Sequence, residues 1–148
     1  MRIHNLYTDA SGQSHFRDIE VEWVEERRGS KLSTRLPATG IIFRETQAEH
    51  DVDWHPAPRR QYIINFDTGV KITASDGESR VIGIGEVILV EDTTGKGHLS
   101  QHVESKIRHS VFVPIDLPLR LKRLSNPKTR GVPAEAAEGN CSRNGTIR

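Results

Sequence analysis

Cysteine is nearly missing from this chain. Cys141 is its one thiol, and one thiol cannot close an internal disulfide, so the fold must stand without cross-links. Long apolar runs are missing too. No stretch approaches the roughly 18 residues that a transmembrane helix requires, so no membrane partner is expected. The opening stretch, MRIHNLYTDASGQSHF, has no apolar segment of the kind a secretory signal carries. With the lone cysteine, this leads to the expectation of a cytoplasmic protein. Asn140 and Asn144 start Asn-x-Ser/Thr triplets, read here as chance matches. Apolar residues at helical spacing are absent over any useful length, which argues against a helical fold. No Gly-x-Ser-x-Gly turn occurs, and Cys141 sits in a polar tail, so neither offers a nucleophile. The Gly83–Gly85 stretch is followed by no helix and is not a phosphate loop.

What is present fits one domain. The 148 residues are 34% hydrophobic, with a mean hydropathy of −0.55, enough for a modest core. The net charge of +1 hides an uneven distribution. Residues 1–116 carry 14 basic and 18 acidic side chains, whereas residues 117–148 carry 7 and 2. A basic tail is able to meet acidic surfaces. This one has no aromatic residue for base stacking, which argues against nucleic acid.

Short segments with period-two alternation follow one another along the chain. IEVEWVEE sets Ile19, Val21 and Trp23 against glutamates, the mark of a half-buried strand. RRGSKLSTRLPAT reads as a loop, GIIFRET as a strand from Gly40, and the polar segment from Gln47 to Arg60 as a connection. QYIINF, GVKITAS, SRVIGIG, EVILVED, HLSQHVE and RHSVFVPI then come in quick succession, with an Asp76–Gly77 turn among them. Such a series predicts an all-β barrel or sandwich. From Asn126 onward Pro, Gly, Asn and Ser dominate, predicting a poorly structured tail.

Two segments, DWHPAPRRQYIINF and GIGEVILVEDTTGKGHLSQ, resemble the two halves of the cupin pattern. The WHPAPRRQ and VEDTTGKGH turns resemble those of small single-domain bacterial cupins of uncharacterised function. The resemblance covers residues 1–115 and implies a double-stranded β-helix, a jelly-roll barrel at 1–118, followed by a basic tail at 119–148. It also implies a homodimer, and the strand around Ile19 to Trp23 is a candidate for pairing with a partner's sheet edge. In metal-bearing cupins the first motif supplies two histidines and a glutamate, and the second supplies one more histidine. By that correspondence the metal positions here are Asp53, His55, Gln61 and His98, so two of the four differ from the pattern.

The chemistry of these side chains leaves two uses open. Asp53, His55 and His98 would form a 2-His-1-carboxylate set for one divalent ion, Fe, Mn, Zn or Ni, with Gln61 adding a neutral oxygen. Without a metal, the barrel would bind a small polar molecule. Gln61, Ile63 and Asn65 share one strand face, and His102 shares a face with His98, so these four are the candidate ligand contacts. Arg59 and Arg60 are candidates for an anion, with an ion-paired rim as the alternative. The expected function is therefore a small cupin-like domain that binds a polar molecule, with or without a divalent metal at His55 and His98. The alternatives are a metal-free binding module and a structural dimer without catalysis.

Overall fold

Alternation decides which side chains form the core. In Val70–Ala74, Val70, Ile72 and Ala74 are buried on one face while Lys71 between them is exposed. The computed structural model describes residues 1–115, and among these it contains strands and no helix. The strands are β1 (Arg2–Thr8), β2 (Ser14–Glu20), β3 (Glu25–Arg27), β4 (Ser30–Leu32), β5 (Ile42–Thr46) and β6 (Val52–His55). They continue with β7 (Gln61–Asn65), β8 (Val70–Ala74), β9 (Ser79–Ile82), β10 (Val87–Val90), β11 (His98–His102) and β12 (Arg108–Pro114).

Ten of these strands build two sheets. One has the order β2-β1-β10-β7-β12-β5 and the other β6-β11-β8-β9; β3 and β4 form a separate hairpin. Pairing between named strands is antiparallel except where β1 runs parallel to β10. Leu6, Phe16, Ile88 and Val90 of the first sheet and Val70, Ile72, Ala74 and Ile82 of the second form one buried cluster, with Ile63 packed against it. The two sheets thus share one apolar interior, the double-stranded β-helix arrangement expected from the sequence. Expectations for the tail lie outside the described residues.

Three local readings need correction. The IEVEWVEE strand is interrupted: β2 ends at Glu20, and Val21–Val24 lie outside any strand, with Trp23 and Val24 exposed. The RRGSKLST loop holds the β3–β4 hairpin, because Arg28 (φ 51°) and Gly29 (φ 77°) both take the left-handed conformation that a tight two-residue turn demands. The polar connection before the prolines contains β6. Its residues show no alternation, for a reason that concerns the site.

Histidines tie distant turns together at the surface. His15 bonds Asp9 (2.6 Å) and Asp76 (2.8 Å), joining the β1–β2 turn to the β8–β9 turn. His109 bonds Asp67 (2.5 Å) and Glu45 (2.9 Å), joining β12 to the β7–β8 loop and to β5. The pKa of His15 is raised, chiefly by its hydrogen bond with Asp9 and then by that with Asp76. That of His109 is raised by Asp67 and then by Glu45. A raised folded-state value places the stabilisation fully below the unfolded-chain pKa, about 6.5, and removes it as pH climbs through the folded value. The double variant His15→Gln/His109→Gln should therefore melt below wild type at about pH 6, and the gap should narrow toward about pH 9. Thermal unfolding across that range tests this, and a gap independent of pH would refute it.

Candidate functional site

A bulge determines which side chains of β6 reach the interior. His98 pairs with His55, but Ser100 pairs with Val52, so two steps along β11 face three along β6. The extra residue breaks the alternation. Val52 and His55 both line the barrel cavity, while Asp53 and Trp54 between them are exposed. The Asp53 carboxylate accepts the N–H of Trp54 at 2.8 Å. Asp53, expected as a ligand beside His55, is thus not among the residues lining the cavity. Simple two-residue spacing fails here because a bulged residue intervenes.

His55 is oriented by its own strand. Its Nδ1 lies 2.6 Å from the carbonyl oxygen of Asp53. A carbonyl only accepts, so Nδ1 carries the proton and Nε2 is left with the lone pair. The following turn is anchored as well: Ala57 is buried, and its N–H donates to the carbonyl of Asp92 at 3.0 Å.

Across the sheet, Gly97 lets β11 start directly against β6. It takes φ 70°, and a Cβ there would lie 2.1 Å from the His55 carbonyl oxygen. No side chain fits in that gap. The buried Ser14 hydroxyl donates to the Gly97 carbonyl at 2.6 Å, which ties the same point to β2. The result is close packing of the two imidazoles, with ring centroids 4.4 Å apart and planes inclined by 55°.

The sequence reading missed Asp92. It is fully buried, and its Oδ2 lies 2.5 Å from Nδ1 of His98, itself only 6% exposed. A carboxylate on Nδ1 fixes the ring's orientation and tautomer and leaves Nε2 with a defined direction. The second oxygen, Oδ1, is buried with no hydrogen-bond partner among the described residues. The signal was available in VEDTTGKGH, where an acidic residue stands six positions before the histidine across a glycine turn.

The cavity has a volume of about 400 Å³, within the range of small-molecule sites. Its apolar wall comes from Ile63, Val70, Ile72, Ile88 and Val90. Gln61, Ile63 and Asn65 of β7 line it together. Gln61 is 1% exposed and its Oε1 has no donor among the described residues, whereas Asn65 donates to the Ile82 carbonyl at 3.4 Å. His102, expected as a further contact, is not among the lining residues. β11 carries it past the cavity, where both its backbone N–H (2.8 Å) and Nδ1 (2.7 Å) meet Asp51. Of the arginines flagged in the sequence, Arg60 pairs with Glu91 at 3.1 Å, and Arg59 is exposed and does not line the cavity.

The residues present do not fit a metal centre of the kind the sequence suggested. Such a centre draws on three protein ligands. Here His55 and His98 pack together, His50 and the neutral amide of Gln61 also line the cavity, the carboxylate of Asp53 lies outside, and no group of three acidic, histidine or cysteine side chains able to hold an ion occurs among the described residues.

No family model and no curated protein matches the chain. Solved structures do. An RmlC-like cupin family protein with a double-stranded β-helix fold from Methanocaldococcus jannaschii is 18% identical, with a TM-score of 0.45 over 70% of this chain and 97% of that one. A conserved protein of unknown function from Streptococcus pyogenes is 21% identical, with a TM-score of 0.40 over 58% of this chain and 72% of that one. A protein from Neisseria meningitidis is 17% identical, with a TM-score of 0.40 over 63% and 88%. On their own strand order and interior, residues 1–115 form an all-β domain with a double-stranded β-helix fold.

The Gly97 contact makes a direct prediction. Gly97→Ala meets both a left-handed φ and the His55 backbone, so it should cost about 2 kcal/mol or more and lower Tm by roughly 10 °C. Gly29→Ala has a similar φ but nothing within 4 Å of the added Cβ, so it should lose distinctly less. Equal losses in thermal unfolding would refute the role given to the contact.

Proposed function

We propose that the domain binds a small polar molecule inside the barrel, against Nε2 of His98 and of His55 and the free carbonyl of Gln61. The observation that carries this reading is His98, backed by the buried carboxylate of Asp92, on the wall of a cavity whose apolar side chains come from both sheets. Burying a carboxylate, an imidazole and an amide costs stability unless each is satisfied. On the cavity wall the Oε1 of Gln61 has no donor among the described residues, which suits a hydroxyl- or amine-bearing ligand. The apolar wall suits its carbon skeleton. No chemical step is assigned to a metal, because the third ligand is missing from the cavity side of β6.

A thermal-shift screen of polar metabolites tests the proposal. A ligand present at about 100 times its Kd stabilises by about 2.7 kcal/mol, a rise in Tm of roughly 10 °C. Hits should lose most of that rise in His98→Ala and in Asp92→Asn, since either change removes the oriented Nε2. Hits that act equally on wild type and on both variants would overturn the site, as would a screen with none. Elemental analysis after incubation with Fe, Mn, Zn or Ni should find metal well below one ion per chain. A stoichiometric ion lost in His55→Ala and His98→Ala would replace this reading with a metal centre.

A further inference from the structure

We propose that the outer part of the cavity is an oxyanion site, in which Arg44 and Arg108 hold the carboxylate or phosphate group of the ligand. This rests on the reading of the cavity as a binding site and adds the charge class of what it binds. The first support is the charge inventory of the wall. Among the described residues, the ionisable side chains lining the cavity are Arg44, Arg108, His50, His55 and His98, without a single Asp or Glu. Overall charge does not explain this, because acidic residues outnumber basic ones over residues 1–116. The cationic lining is local.

Placement is the second support. Ser110 pairs with Arg44 and Arg108 with Thr46, so the two arginines are diagonal neighbours on the cavity face of adjacent strands, within mutual reach of one small anion. Arg44 is held over the Phe112 ring, its guanidinium carbon 5.3 Å from the centroid. Arg108 is half-buried. Neither forms an ion pair among the described residues. The carboxylate that acts on Arg108 is Asp67, and both of its oxygens are engaged by His109, Oδ1 by the backbone N–H and Oδ2 by the ring. Burial, and then the like charge of Arg44, disfavour the cationic form of Arg108. Two guanidinium groups set side by side on a partly dry wall repel, and an oxyanion between them removes that repulsion. The Ser110 hydroxyl, on the same strand face, adds a neutral donor.

The ligand class that follows has an anionic head toward the arginines and a hydroxyl or amine toward Gln61 and the histidines. The test is an NMR titration with inorganic phosphate and, separately, with succinate, following the arginine Nε–H signals and the His98 ring. At least one probe should give saturable shifts at Arg44 and Arg108, and which one does so identifies the oxyanion. Arg44→Gln and Arg108→Gln should each weaken binding by about tenfold or more, while Arg59→Gln should bind as wild type does. Arg108→Lys keeps the charge but loses the planar fork and should fall between. Arg44 is exposed, so Arg44→Gln keeps the test decisive even if the Arg108 variants fold poorly. Absence of saturable shifts with both probes, or unchanged affinity in Arg44→Gln, would overturn the proposal. Neutral metabolites that still bind through His98 in that event would leave the cavity reading standing. Oxyanion binding that ignores His98→Ala would keep the oxyanion site and remove the histidine contact.

Discussion

The approach of Gly97 to the His55 carbonyl is the contact on which the rest of the site depends. A strand preceded by any other residue at this point would stand off from β6, because a Cβ would meet the His55 carbonyl. Because Gly97 has none, β11 enters the sheet flush against the end of β6, and its first residue, His98, pairs with the last residue of β6, His55. That register brings the two imidazoles into contact, their planes inclined by 55°. The Ser14 hydroxyl on the Gly97 carbonyl fastens the same junction to the other sheet. The bulge in β6 is the companion constraint: it turns Asp53 and Trp54 outward and returns His55 to the interior. One missing Cβ and one extra residue therefore decide the composition of the cavity wall.

The interior is more polar than stability alone would choose. His98, Asp92, Gln61 and Asn65 are all buried, among apolar side chains from both sheets. Replacing them with hydrophobic residues of similar size would remove desolvation costs that the barrel now carries. Such a concession is usual where a protein keeps a functional site. The polar groups are also ordered by charge. The arginines stand toward the exposed side, where Arg44 and His50 mark the opening, and the carboxylate-backed histidine stands toward the buried side.

Much of the barrel was legible along the chain because alternation is a local property. Val70, Ile72 and Ala74 announce their face without reference to any other strand, and the same holds for Gln61, Ile63 and Asn65 on β7. The sequence alone thus determined that the chain would form many short strands, that β7 would present two amides and an isoleucine together, and that glycines would precede His98. It did not determine who meets whom. Asp53 was placed beside His55 by the resemblance to the metal-bearing motif, and the bulge turned it outward. Asp92 reached His98 through a loop whose path depends on the Gly12–Gly95 and Ala57–Asp92 contacts. Arg44 and Arg108 are 64 positions apart and share a wall only because β5 pairs with β12. The physical reason is that a side chain's face is set by its neighbours in sequence, whereas its partners are set by strand register. Register is a sum over contacts between segments far apart in the chain, and that sum closes only in the folded barrel.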